Sequence, residues 1–98
     1  MEVSLNVKQV GREIIVAACD KILLGKTLHK GNVKINISEK FYGGRIVSAD
    51  EAIEALKSCT IGNIIGEIIV KKSIEAGLVH EECLLWIEGV PHAQIVKV

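Results

Sequence analysis

The chain has 98 residues in which 12 Lys and Arg balance 12 Asp and Glu, so a single domain of no net charge is expected over residues 1–98. Every apolar run is shorter than the roughly 20 residues that cross a bilayer, which excludes a membrane-spanning helix and favours a cytoplasmic protein. Hydrophobic residues still make up 49% of the chain, with a mean hydropathy of +0.36, so we expect apolar surface that supports a homo-oligomer.

Three strands are predicted in the first half of the chain. Alternating apolar and polar residues in EVSLNVK (2–8) predict a half-buried strand, and REIIVAAC (12–19) predicts a strand buried along most of its length. NVKINIS (32–38) alternates again, with Val33, Ile35 and Ile37 facing inward. We expect these three strands to form one sheet.

Two helices are predicted next. SADEAIEALKSC (48–59) starts with Ser48 and Glu51 at the spacing of a capping box. TIGNIIGEIIVKKSIEAG (60–77) is predicted as a longer helix that ends at Gly77, because its isoleucines recur at steps of three and four residues. These isoleucines are Ile61, Ile64, Ile65, Ile68 and Ile69.

The remaining segments CLLWIE (83–88) and AQIVKV (93–98) are short apolar runs on either side of GVPH, and they predict a final hairpin. The predicted element order is therefore βββααββ. This order indicates the α+β class: a two-layer sandwich with a mostly antiparallel sheet and helices on one face.

The tripeptide Gly25-Lys26-Thr27 follows an apolar run, as the end of a nucleotide-binding P-loop does. A P-loop also needs a glycine five positions before Gly25, but that position holds Asp20, whose carboxylate would repel phosphate. The sequence therefore argues against a nucleotide site. We interpret Asp20 instead as the N-cap of a short helical turn near 21–24.

The cysteines predict neither a metal site nor disulfides. Cys19, Cys59 and Cys83 are an odd number, form no CxxC pair and stand among apolar neighbours. Buried free thiols in a reducing cell are expected, and no metal or cofactor is predicted.

Four stretches taken together resemble a known family. LLGKT (23–27), FYGG (41–44), TIGNIIGE (60–67) and GVPHAQIV (89–96) occur in the order and near the spacings of the archaeal domain of unknown function 424 family. The resemblance covers essentially the whole chain. It implies a free-standing cytoplasmic protein of an archaeon, and it implies no particular activity, substrate or cofactor.

One face of the predicted helix 60–77 is polar and carries Asn63 and Glu67. Gly62 and Gly66 would each weaken a helix by about 1 kcal/mol relative to Ala, so we interpret them as points where another backbone packs closely. Asn63 and Glu67 would then border a packed groove, where a polar group needs a partner or a ligand. Alternatively, Asn63 is solvated and Glu67 forms a helical ion pair with Lys71.

A small polar ligand site is predicted where this groove meets the turns FYGG and GVPH, and Glu67 with His92 would supply acid–base chemistry there. No separate nucleophile is recognisable, so whether the protein is an enzyme stays open. The same side chains could equally serve the structure by bonding loop carbonyls. The predicted site residues are Tyr42, Gly43, Gly44, Asn63, Glu67, His92 and Gln94.

Basic residues are concentrated at the start of the chain, with eight Lys and Arg against four Asp and Glu up to Arg45. Such a surface would attract an anionic partner, RNA above all, although the chain offers only three aromatic residues for stacking on bases. The predicted anion-facing residues are Lys21, Lys26, Lys30, Lys34 and Arg45.

Three functions follow from these patterns. The first is a cytoplasmic binding module for RNA or a ribonucleoprotein, and the second is a module for a protein partner. The alternative is a small-molecule-binding protein or enzyme centred on Asn63, Glu67 and His92. We favour binding over catalysis.

Overall fold

Eight strands and three helices make up residues 2–97, which are the residues that this computed structural model describes. The strands are β1 (Val3–Val10), β2 (Glu13–Asp20), β3 (Thr27–Lys30), β4 (Val33–Asn36), β5 (Arg45–Val47), β6 (Ile61–Ile65), β7 (Leu85–Ile87) and β8 (Val90–Val96). The helices are α1 (Glu39–Tyr42), α2 (Ala49–Lys57) and α3 (Glu67–Glu75). Short 3₁₀ turns lie at Lys21–Leu23 and Glu81–Cys83.

Six strands form one sheet in the order β5-β1-β2-β6-β8-β7, and β3 pairs with β4 in a separate hairpin. Within the large sheet β2 and β6 are parallel, and the other neighbouring pairs are antiparallel. Parallel strands need a connection that crosses over the sheet, and the chain between β2 and β6 provides it with α2. The predicted α+β class with a mostly antiparallel sheet is confirmed.

Each face of the large sheet carries its own hydrophobic core. Helices α2 and α3 cover one face, where Leu56, Ile64 and Ile69 are fully buried, so the predicted helical layer is confirmed. The hairpin β3–β4 and the short helix α1 cover part of the opposite face, around Ile37 and Tyr42.

Helix α2 begins as predicted. The Ser48 hydroxyl accepts a hydrogen bond of 3.1 Å from the backbone N–H of Glu51, which satisfies one of the free donors at the helix start. The Glu51 side chain does not complete the capping box, because its carboxylate forms an ion pair of 3.0 Å with Arg45.

The predicted order βββααββ is wrong at Ile61–Ile65, which forms the central strand β6 and not the first turns of a helix. A strand that is buried on both faces is apolar at nearly every position, so its isoleucines can also match a helical spacing. Ile64 and Ile65 are fully buried on opposite faces of the sheet. The helix starts only after Gly66, at Glu67, and the chain leaves it at Gly77 as expected.

The third predicted strand does not join the large sheet. Val33–Asn36 pairs with Thr27–Lys30, two residues away, and this hairpin packs across the sheet. Val33 is therefore 59% exposed, whereas Ile37 is fully buried beneath the hairpin. The strands β3 and β5 were not predicted, because they have only four and three residues, too few to establish a periodicity.

Two of the three cysteines are buried as predicted, and all three are free thiols. Burial raises the pKa of the Cys19 thiol to about 12, with a further contribution from the negative charge of Asp20. The prediction is wrong for Cys83, which is exposed in the 3₁₀ turn before β7.

Candidate functional site

Asn63, Gln94 and His92 lie on the sheet face opposite α2 and α3. Asn63 on β6 stands directly across from Gln94 on β8, and the Gln94 Nε2 donates a hydrogen bond of 3.0 Å to the Asn63 Oδ1. His92 stands one row further along β8, across from Ile65, and is half-buried. The sheet therefore brings these three predicted residues together, with the two amides already paired.

Glu67 is not part of that group. It occupies the first turn of α3, exposed to solvent, and none of the ion pairs among the described residues joins it to His92 or Lys71. The helical face that was predicted to hold Asn63 and Glu67 together does not exist, because Asn63 belongs to a strand. Glu67 and His92 therefore form no hydrogen-bonded acid–base pair.

The remaining residues of the predicted polar site are Tyr42, Gly43 and Gly44, and each is closely packed against neighbouring parts of the fold. Tyr42 is only 6% exposed, and burial raises the pKa of its hydroxyl to about 12. A Cβ on Gly44 would lie 2.3 Å from the backbone oxygen of Leu5, and one on Gly43 would lie 2.3 Å from the oxygen of Glu39. These glycines are thus required because the backbone of neighbouring elements passes so close.

We expect His92 to make the stability of the fold depend on pH. Burial lowers the pKa of its imidazole below the ordinary 6.5, so the unfolded chain binds a proton more readily than the folded protein does. Stability contributed by this group is therefore present above pH 6.5 and is lost as the pH falls through 6.5 toward the lower folded-state pKa. We expect the urea midpoint to fall between pH 7.5 and 5.5, and to fall less in His92→Gln.

The exposed His80 provides the matched control for this experiment, since His80→Gln should keep the wild-type response to pH. An equal response to pH in wild type and His92→Gln would show that His92 does not cause it.

Asp20 has a role that the sequence did not reveal. Its carboxylate is 4% exposed and accepts hydrogen bonds from the backbone N–H groups of Ile68 (2.9 Å) and Ile69 (3.0 Å) at the start of α3. Asp20 occupies the N-cap position of the 3₁₀ turn Lys21–Leu23 as predicted, but its side chain makes no capping bond to that turn. Burial raises the pKa of Asp20, while the two N–H groups oppose the rise.

The basic residues predicted to face an anion are all exposed but do not share one edge of the sheet. Arg45 belongs to the edge strand β5, where it pairs with Glu51. Lys30 lies at the opposite edge, where its Nζ donates a hydrogen bond of 3.2 Å to the backbone oxygen of Trp86 on β7. Lys34 lies on the hairpin β3–β4, as Lys30 does, and Lys26 lies directly before it. Lys21 lies in the preceding 3₁₀ turn.

A groove of about 510 Å³ lies on the helical face of the sheet, between α3 and the edge strand β7. Its apolar residues come from three elements and from the segment before β7. They are Val70 and Ile74 on α3, Leu84, Trp86 on β7 and Pro91 on β8. We call this the Trp86 groove, since the indole side chain, 53% exposed, is its largest exposed apolar group.

The rim of the Trp86 groove is acidic. Glu67, Glu75 and Glu81 border it against a single basic residue, Lys71. These four side chains are exposed, and none takes part in an ion pair among residues 2–97. The groove therefore combines an apolar interior with a negative rim, which favours a positively charged occupant.

The groove was not predicted, because its residues are spread over a helix, two strands and the segment before β7. One signal was available: Trp86 is the only tryptophan of the chain and stands in the predicted short strand 83–88, of which Leu85–Ile87 forms β7. Such a strand has little room to bury an indole.

The part of the chain that the structure describes contains neither a cluster of metal-binding side chains nor a membrane-spanning helix. Residues 2–97 bring no three His, Cys, Asp or Glu side chains into an arrangement that could hold a metal ion. No helix within this range is long and apolar enough to cross a bilayer.

Comparisons with known proteins identify one family and one solved structure that this chain is similar to. Its fold matches the crystal structure of an uncharacterized conserved protein from Methanopyrus kandleri with a TM-score of 0.83 and 31% sequence identity, over 100% of this chain and 95% of that one. Comparison with curated proteins gives no match. Residues 8–98 match the family described as protein of unknown function, DUF424. The chain therefore belongs to the DUF424 family, as the four sequence stretches indicated.

Proposed function

We propose that this protein is a small binding module that binds a protein partner through the Trp86 groove. The observation that carries the proposal is an indole left 53% exposed beside an apolar groove of about 510 Å³. Exposed apolar surface of this kind marks interaction sites, and tryptophan is enriched among the residues that dominate binding energy.

The charge around the groove supports a protein partner over RNA. Proteins that bind single-stranded nucleic acid place their stacking aromatics in positively charged grooves, since each nucleotide brings a phosphate. Trp86 instead has Glu67, Glu75 and Glu81 around it. RNA binding by the lysines of the hairpin β3–β4 stays a prediction, as does self-association.

The alternative of a small-molecule site around Asn63 and His92 has less support. The amides of Asn63 and Gln94 already bond each other, and Glu67 belongs to a different surface. Catalysis there would need a further reactive group beside His92.

We further propose that the protein works in the cytoplasm. The three cysteines are all free, including the exposed Cys83, and free thiols suit a reducing compartment.

A peptide-display selection against the folded protein tests the binding proposal. We expect it to enrich peptides whose affinity falls by at least about thirtyfold in Trp86→Ala, because truncating a central aromatic anchor removes 2 kcal/mol or more of binding energy. Binding is measured by anisotropy of the labelled peptide. As the only tryptophan, Trp86 should also shift its emission to shorter wavelength when the peptide covers it.

The control variant is Phe41→Ala, which removes another partly exposed aromatic side chain on the short helix α1, outside the groove. Its affinity for the selected peptides should equal that of the wild type. A selection that enriches nothing, or peptides that bind Trp86→Ala as tightly as wild type, would contradict the proposed function.

A further inference from the structure

On the helical face of the large sheet, the two helices do not reach the last strand. Helix α2 packs against β1 and β2, and α3 packs against β2, β6 and β8, which leaves the edge strand β7 without a helix above it. Strands lie about 4.8 Å apart, and packed helices lie about 8–10 Å apart. A helix placed beside α3 would therefore lie about two strands further along, over β7, where the Trp86 groove is.

The groove has the walls that such a helix needs. On α3 the partly exposed Ile74 lines the groove beside the buried Val70, and Trp86 with Pro91 supplies the floor. Helix α3 lines the groove from Glu67 to Glu75, so at 1.5 Å per residue this side of the groove is about 12 Å long. That length matches about two turns of a partner helix, enough for apolar side chains at positions i, i+3, i+4 and i+7.

The edge of β7 is less suited to an added strand. Trp86 pairs with Pro91 of β8, and its backbone oxygen already accepts a hydrogen bond from the Nζ of Lys30. The backbone N–H of His29 donates to the carboxylate of Glu88, just after β7. The hairpin β3–β4 therefore already bonds to part of the β7 edge with which an extended peptide would have to pair.

The acidic residues on the rim of the groove indicate that the partner is positively charged. Glu67 lies at the start of α3, while Glu75 and Glu81 lie toward its other end, so carboxylates are present at both ends of the groove. Lys and Arg on the flanks of an incoming helix would meet these carboxylates, and Glu or Asp there would be repelled.

We propose that the occupant of the Trp86 groove is an amphipathic helix of a partner protein, with an apolar stripe facing Trp86 and basic residues on both flanks. This inference rests on the proposed function and adds the conformation and charge of the bound segment. The bound helix becomes the third helix of the layer that α2 and α3 begin.

Three synthetic peptides of about 14 residues test it against the full-length protein. The first carries Leu at helical spacing with Lys and Arg on the flanks, the second replaces every Lys and Arg by Glu, and the third has the composition of the first with its leucines alternating as in a strand. Isolated peptides of this length are mostly unfolded, so helix formation on binding is visible by circular dichroism. Affinity is read from Trp86 emission.

We expect the basic helical peptide to bind with a gain of helix content, and the acidic peptide to bind about tenfold more weakly at low salt. Reversing the rim with Glu67→Lys, Glu75→Lys and Glu81→Lys together should reverse this preference. The matched triple variant Glu39→Lys, Glu51→Lys, Glu54→Lys changes net charge equally away from the groove and should leave the preference in place.

Equal binding of the basic and acidic peptides, tighter binding of the alternating peptide, or an equal effect of both triple variants would overturn this inference. If none of the three peptides binds while display-selected peptides still depend on Trp86, the inference fails and the proposed function stands. If selected peptides do not depend on Trp86 either, both fail.

Discussion

Gly66→Ala is expected to lower the free energy of unfolding by about 2–6 kcal/mol. Gly66 has φ +125 and ψ 150, a conformation essentially limited to glycine, where other residues carry about 1–3 kcal/mol of strain. A Cβ would also lie 2.3 Å from the Cγ of the buried Asp20, and such overpacking costs about 1–3 kcal/mol more. Urea unfolding of the two proteins measures the difference.

Gly77→Ala separates the two causes. Gly77 also has a positive φ, +74, but an added Cβ would meet no atom within 4 Å, so only the backbone strain applies. We expect this control to lose about 1 kcal/mol. If Gly66→Ala loses no more than Gly77→Ala, the close approach of Asp20 to Gly66 does not restrict this position.

Asp20→Ala is expected to destabilise the protein by about 2–4 kcal/mol. The carboxylate is the hydrogen-bond acceptor for two N–H groups at the start of α3, that of Ile69 buried and that of Ile68 partly buried. A buried donor left without a partner costs about 1–3 kcal/mol, and a partly buried one costs less. Gly66, which precedes the helix, has no side chain that could replace it. Asp20→Asn, with one acceptor oxygen, should lie between wild type and Asp20→Ala in its urea midpoint.

Asp50→Ala is the control for this prediction, because Asp50 is also an acidic residue at a helix start. Its side chain is 84% exposed and pairs with Lys72 on the surface, where such pairs contribute about 0–1 kcal/mol. A loss in Asp20→Ala as small as that in Asp50→Ala would contradict the capping role of Asp20.

The stretch from Thr60 to Gly77 shows what limits prediction from this sequence. Its isoleucines are apolar at helical steps, yet Ile61–Ile65 is a strand and only the part from Glu67 onward is a helix. The strand became central because it pairs with β2 on one side and β8 on the other, and these contacts lie far away in the sequence. Tertiary pairing thus overrode the local pattern.

Segments whose own sequence carries a clear local signal were predicted correctly. The strand β1 alternates, α2 has Ser48 as its N-cap, and the final hairpin has Gly89 between two apolar runs. The glycines of the chain also marked close packing, but the neighbour at Gly66 is the Asp20 side chain and not another backbone. Nothing in the local sequence connects residues 20 and 66.

The candidate site could not be predicted for the same reason. Asn63, Gln94 and His92 lie near one another, since β6 and β8 pair directly, whereas Glu67 was assigned to them through a helix that does not extend so far. The Trp86 groove depends on the place of β7 at the sheet edge and on α3 stopping short of it. Both follow from the strand order, which periodicity does not give.

The most direct test of the proposed function is to map the binding surface by NMR, adding a display-selected peptide to the ¹⁵N-labelled protein and following the backbone amide shifts. We expect the largest changes on residues 67–75 and 84–87, along α3 and β7, while β1 and β5 at the far edge of the sheet stay unchanged. Changes concentrated on the hairpin β3–β4, or around Asn63 and Gln94, would contradict it and place the binding surface elsewhere.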